Sequence, residues 1–418
     1  MVRLCARLKL HYAWAILVGC FILSLGGTAI VVNCIGVFIK PVSAAMGFSR
    51  ASFSLFYTFS TLVSTCMAPF LGSIIKKVGS KLPVIVCSIG AGVMLFCYSF
   101  CRELYQFYLC GCLAGIFTGA LTSMAISTII YRWFEKKRGM AIGIAFAGSG
   151  LGSMVLNPLV THIIETVGWQ AGFQLLGVLL IAVNVTAALV FIIDHPGKIG
   201  LKPLGAEEGA SQVKKASLLN ICRKDAMKLP QFWVLCVASA LAGLLGTGIQ
   251  QHMNAYMTDI GYTPAYAATI FSTVMFLLTV GKLLLGVVID RFGTKAGTAI
   301  ICSLLSLSSF VLLFSGQGWM PMVFAVIFGG GYTILSILPT TLTSSLMGTA
   351  DYSANYGVVT FFLCSGMAVG SPISAFFFDT FGSYKPAWIL YGVMAVVVLV
   401  MYLWAIGRFE KMRRAANP

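Results

Sequence analysis

The sequence predicts an all-α membrane protein with twelve transmembrane helices in two pseudo-symmetric six-helix halves. Three observations carry this expectation. Hydrophobic residues fill 59% of the 418 positions and charged ones only 10%, with a mean hydropathy of +0.93, which excludes an ordinary soluble domain. Apolar runs of about 20 residues, the length that crosses ~30 Å of hydrocarbon, recur without the period-2 alternation of an outer-membrane barrel. The third is an internal repeat spaced by 214–215 residues, in which Gly72 to Gly79 matches Gly286 to Gly293 and Trp169 to Val178 matches Tyr384 to Val393.

The apolar runs place helices at 12–37, 50–74, 82–100, 105–131, 139–163, 169–193, 231–257, 264–288, 296–315, 319–346, 355–378 and 385–407. Met1 to Leu10 is basic and no small-residue cleavage site follows, so the first run is expected to remain as an uncleaved helix. Asp194 to Pro230 is the only long hydrophilic interruption. It divides the chain into an N-terminal half 1–193, a linker 194–230 carrying Glu207, Glu208, Lys214 and Lys215, and a C-terminal half 231–418. The 13 cysteines are scattered through apolar stretches with no CxxC pair, and read as small buried side chains and not as a disulfide framework or a metal site.

Lys and Arg number 28 against 12 Asp and Glu, a formal net charge of +16. In this chain the charge is distributed about a bilayer and implies no nucleic-acid partner. Twenty-three of the basic residues lie on the side that holds both termini, among them Arg3, Arg7, Lys9, Lys136 and Lys137, and only Lys40, Arg50, Arg102 and Lys385 lie on the other. The positive-inside rule therefore places both termini and the linker in the cytoplasm, in a multi-pass protein of the cytoplasmic membrane. One basic residue remains inside a span, Lys282.

Gly286-x-x-x-Asp290-Arg291-x-Gly293 resembles the loop signature of the major facilitator superfamily, and the helix count and repeat fit that family over the whole chain. The resemblance implies a conformational latch. Gly286 lets helices approach, Asp290 and Arg291 make charge-assisted contacts that hold one conformation, and Gly293, Gly72 and Gly79 complete the pattern in both halves. Lys76 stands where the family usually has Asp, so the first-half latch is degenerate.

Further strings are similar to the monocarboxylate porter and oxalate/formate antiporter group. They are Gly36-Val37-Phe38-Ile39-Lys40-Pro41, which looks like that group's first outer loop, Arg132 to Ala141 with Gly143, Gly148, Gly150 and Gly152, Gly200 to Gly205, Pro230-Gln231-Phe232-Trp233, and Asn355-Tyr356-Gly357. The glycine series lacks the Lys-Ser/Thr of a phosphate loop and reads as close helix packing. Pro41, Pro69, Pro158, Pro321, Pro339 and Pro372 are placed to kink helices.

Lys282 precedes Asp290 by eight residues, about 12 Å of helix, which sets it well inside the hydrocarbon. A cation there costs at least ~2.5–3.5 kcal/mol unless it meets water or an anion. By the resemblance, Lys282 occupies the place of the group's carboxylate-binding arginine; the alternative is that its stem snorkels to the interface. Lys offers a compact charge in place of a two-pronged fork. The dicarboxylate exchangers carry a second cation where this chain has Leu363, so one central charge favours a monocarboxylate. Some porters carry an Asp where this chain has Leu278, so that carboxylate relay is absent. His252, within the polar run Gln250 to Asn254, is the group available to titrate near neutral pH if protons are coupled. Asn33, Tyr57, Asn157 and Tyr332 can donate hydrogen bonds to a carboxylate or tie helices together. Ser123 lies near a place that is aromatic in oxalate-handling members.

The expectation is a secondary active transporter of a small organic anion, a monocarboxylate first, working by alternating access as a proton symporter or anion exchanger. It needs no cofactor and no catalytic residue, and is expected to act as a monomer with its carboxylate, protons or a counter-anion, and lipid as partners. A transporter of an uncharged solute such as a sugar or drug, and a non-transporting sensor on the same scaffold, stay open as alternatives.

Overall fold

The computed structural model describes residues 11–121, 123–135, 138–205, 221–336, 338–348 and 351–416. Arg3, Arg7, Lys9, Lys136, Lys137, Glu207, Glu208, Lys214 and Lys215 lie outside them. Among the described residues ten helices are long and apolar enough to cross a membrane: Ala13–Met46, Arg50–Ala68, Lys81–Tyr98, Gly139–Thr166, Trp169–Phe191, Pro230–Asp259, Pro264–Lys282, Arg291–Leu313, Ala354–Phe381 and Lys385–Arg413. A bent pair, Met320–Leu335 and Leu338–Met347, makes an eleventh span, and Leu104–Thr118 begins the fourth, which a 3₁₀ turn at Gly119–Leu121 separates from Ser123–Trp133. The fold is that of twelve helices in two halves.

Three boundaries differ from the sequence expectation. Gly36 to Pro41 is helical and not an outer loop. The first span continues through a π turn at Ala29–Asn33, a 3₁₀ turn at Ile35–Phe38 and a helix at Ile39–Met46, and stops only where Gly47 turns left-handed at φ 71°. The connection to the second span is then so short that Ser49 already caps it, accepting from the Ser52 amide. The fourth span is broken where a single helix over 105–131 was expected. The tenth bends by 46° between Leu335 and Leu338, with Pro339 at the start of its second piece, where its missing amide costs least.

The eighth and ninth spans join with hardly a loop, because Gly293 alone leaves the helical conformation, at φ 81° and ψ 164°. Gly79, its partner in the repeat, has φ 88° and ψ 178°. Both glycines turn the chain in a region that L side chains rarely enter.

The chain divides into two compact units, Met1–Gln212 with Pro264–Met275, and Val213–Thr263 with Phe276–Pro418. In the first, Gly148 and Gly152 of the fifth span meet the backbone carbonyls of Phe21 and Leu25 in the first span. In the second, Gly366 and Gly370 of the eleventh span meet the carbonyls of Ala240 and Leu244 in the seventh. The repeat seen in sequence thus reappears as the same backbone-to-backbone packing, which small residues permit in lipid. Pro158 cannot bond the Met154 carbonyl four residues back, and Ser272 Oγ, in the part of the eighth span that belongs to the first unit, donates to that oxygen at 2.7 Å.

Asp194, at the end of the sixth span, closes the far end of the first unit. Its carboxylate accepts from the amides of Ser80 and Lys81, the latter at 2.9 Å, and so caps the third span across more than a hundred residues of chain. Gly79 has no room for a methyl group, since a Cβ would fall on that carboxylate. We expect Asp194→Ala to lower stability by about 1–2 kcal/mol, the range for a lost helix cap; thermal unfolding of the purified protein in detergent reads the change.

Two of the strings singled out in sequence meet here. Leu204 donates its amide to the Trp133 carbonyl at 2.9 Å and accepts from the Glu135 amide at 3.0 Å, while Trp133 Nε1 donates to the Ile193 carbonyl at 2.7 Å. In the second unit Asn355 Nδ2 donates to the Ile221 carbonyl at 3.1 Å, and the Ile221 amide donates to Met347. Each described end of the linker is therefore fastened to its own unit.

Candidate functional site

Lys282 lies on the eighth span and is 7% exposed. The helix face beside it is tightly set, because a Cβ on Gly281 would stand 2.8 Å from Thr333 Cγ2. That contact brings the level of Lys282 next to the 3₁₀ turn at Tyr332–Leu335, where the tenth span breaks. Tyr332 is buried there and its ring lies 5.2 Å from that of Phe328. Gly246 of the seventh span faces Tyr332 and Leu335. Lys282 and Tyr332 thus stand at neighbouring levels of adjacent helices, beside an irregular segment of the kind that lines cavities in membrane proteins.

His252 lies six residues beyond Gly246, about 9 Å along the seventh span. It is fully buried. Nε2 stands 2.9 Å from the Ser371 carbonyl and 3.0 Å from Ser371 Oγ, and Nδ1 stands 3.0 Å from Tyr384 Oη. The carbonyl can only accept, which makes Nε2 a donor. The ring joins the seventh, eleventh and twelfth spans inside an aromatic cluster in which Tyr384 also meets Tyr256, Phe378 and Trp388. In the first unit Trp169, the repeat partner of Tyr384, packs on Phe107 and Phe173.

Asn33 closes the π turn of the first span and donates to Ser153 Oγ at 2.8 Å, while Ser153 Oγ donates to the Ser149 carbonyl at 2.6 Å. A π turn inside a helix is a frequent mark of a functional position. Tyr57 and Asn157 are buried in the second and fifth spans. Ser123 starts the second piece of the fourth span, and its side chain lies outside what is described, as do those of Asp290, Gly286 and Gly72. Arg291 is exposed. Lys282 and Tyr332 lie at neighbouring levels in the second unit, and Asn33, Tyr57 and Asn157 lie in the first.

The hydrogen-bond partners Ser153 and Ser371 were not singled out in sequence, and Tyr384 was marked only as the start of a repeat. Ser149 and Ser153 had a usable signal, a four-residue spacing on the glycine-lined face of the fifth span. Ser371 had none, being separated from His252 by 119 residues.

Residues 16–371 match a sequence profile described as Major Facilitator Superfamily. The chain is 26% identical to monocarboxylate transporter 4 of Rattus norvegicus over 96% of its own length and 85% of the relative's. It is 24% identical to monocarboxylate transporter 12 of Homo sapiens over 96% and 82%. Among solved structures, the nucleoside transporter NupG superposes with a TM-score of 0.75 at 14% identity, covering 93% of this chain and 99% of that one. A bacterial homolog of the human lysosomal transporter Spinster superposes with a TM-score of 0.73 at 15% identity, covering 96% and 98%.

Proposed function

Since this chain belongs to the major facilitator superfamily, we propose that it carries a small monocarboxylate across a membrane by alternating access, with Lys282 as the cation that receives the carboxylate. The observation that carries the reading is the burial of Lys282 within a span. An ionisable side chain inside a span is rare and marks a substrate or ion path, and a cation there suits a transported carboxylate. The named relatives, monocarboxylate transporters matched along nearly the whole chain, support the same substrate class.

In this reading Tyr332, at a neighbouring level of the tenth span, donates its hydroxyl to the second carboxylate oxygen. Leu278 and Leu363 are buried and apolar, so those two positions add neither a carboxylate nor a second cation. A single charge suits a single carboxylate. The His252 ring, held by Ser371 and Tyr384, ties the seventh span to the eleventh and twelfth, and in this reading it keeps the second unit rigid while the protein changes conformation. The charge bias supports a topology with both termini in the cytoplasm.

Uptake by the purified protein in proteoliposomes tests the substrate class. We expect saturable uptake of labelled short-chain monocarboxylates, weaker uptake of dicarboxylates, and none of a sugar or a nucleoside. Saturable uptake of the neutral solutes alone would overturn the reading. Imposing a pH gradient without internal substrate then separates the two modes, since accumulation marks proton symport and its absence marks exchange.

A further inference from the structure

We propose that Cys101 and Cys110 form a redox-active thiol pair that closes to a disulfide when a low-molecular-weight disulfide reaches it. Their sulfurs stand 3.9 Å apart, one on the turn between the third and fourth spans and the other in the second helical turn of the fourth. A disulfide needs about 2.05 Å between sulfurs, so the two thiols must draw together to bond.

The turn is held in place. Gln106 Oε1 accepts from the amides of Arg102 at 2.7 Å and Glu103 at 3.2 Å, and Glu103 completes a capping box at the start of the helix. Cys101 Sγ also stands 3.6 Å from the Cys97 carbonyl. The proximity of the two thiols is therefore set by a fastened turn.

Cys101 is buried, at 6% exposed, and borders a cavity of about 370 Å³ lined also by Met46, Ser99, Phe100, Arg102, Trp169 and Gln170. The hydrogen bond with Cys110 and burial push the Cys101 thiol up, so attack by Cys101 quickens as the pH rises. The Cys101 thiolate attacks a sulfur of oxidised glutathione, giving a mixed disulfide and one glutathione thiolate. The Cys110 thiolate then attacks Cys101 Sγ and expels the second glutathione. Two protein thiols are oxidised, one glutathione disulfide is reduced, and the two thiol protons pass to the two glutathione molecules. Only Cys101 has to meet the oxidant, since the second step is internal.

The side on which this happens rests on the topology proposed above, which puts the turn outside the cell, where disulfides persist. The test uses right-side-out membrane vesicles carrying the full-length protein, with oxidised glutathione or a membrane-impermeant maleimide added outside. The maleimide is expected to label Cys101, and prior oxidation to block that labelling until dithiothreitol is added. Trypsin cuts after Arg102, so the disulfide should join two peptides in a mass spectrum. Cys110→Ser should trap the mixed disulfide on Cys101, and Cys112→Ser should leave the crosslink intact. Outside labelling of Cys101 with no crosslink after oxidation overturns the pair while leaving the topology standing. Labelling only after the vesicles are permeabilised overturns the topology and the outside oxidation together.

Discussion

Replacing Lys282 by Ala is expected to abolish useful monocarboxylate uptake, weakening apparent affinity by roughly 30- to 3,000-fold. The range follows from the ~2–5 kcal/mol lost when one partner of a buried, hydrogen-bonded charge pair is truncated, at about tenfold per 1.4 kcal/mol. The loss should fall on anion binding, and thermal unfolding in detergent without substrate separates it from any change in folding. Lys282→Arg keeps the charge but brings a larger planar head to a helix face that Thr333 already crowds through Gly281. It is expected to retain uptake with affinity within about tenfold of the wild type. Kinetics of labelled-carboxylate uptake in proteoliposomes check both variants.

The second large effect is expected from Gly366→Ala, one methyl group far from Lys282 in sequence. A Cβ at this position would fall on the Ala240 carbonyl, with the Ala240 carbon 2.6 Å away. Backbone cannot yield as a flexible side chain does, so the seventh and eleventh spans must separate along the stretch that Gly243, Gly366 and Gly370 keep close. Overpacking of this kind costs about 1–3 kcal/mol or more. We expect a clear fall in the unfolding temperature in detergent and a lower yield of folded protein. Gly407→Ala is the matched control. Nothing lies within 4 Å of its would-be Cβ, and it replaces a helical glycine, so stability should hold or rise slightly.

Much of the fold was legible because it is written in periods that survive without tertiary information. Apolar run length marked the spans, and the matched glycines Gly79 and Gly293 marked equivalent turns in the two halves. Of the glycines read as packing residues, Gly148 and Gly152 pack on the first span, while nothing stands within 4 Å of a Cβ at Gly139. Local irregularity was not legible. The π turn ending at Asn33, the 3₁₀ break after Thr118 and the 46° bend beyond Leu335 replace one hydrogen-bond pattern by another with no change in hydropathy.

The candidate site divides in the same way. Lys282 stands out because charge is rare in an apolar chain, and no structure is needed to notice it. The partners of Asn33 and His252 are ordinary serines and tyrosines whose identity depends on contacts more than a hundred residues apart. Asp194 read as the first polar residue of a linker, although its carboxylate caps the third span. The cap depends on chain folding and leaves no local pattern.

The most direct measurement of the central claim is paired uptake of one monocarboxylate and its uncharged amide, by wild-type protein and by Lys282→Gln, in the same proteoliposome preparation. The two solutes share shape and differ in charge, and the two proteins share a polar side chain and differ in charge. The account predicts saturable uptake for the carboxylate in the wild type alone. Carboxylate uptake of undiminished affinity and rate in Lys282→Gln would contradict it.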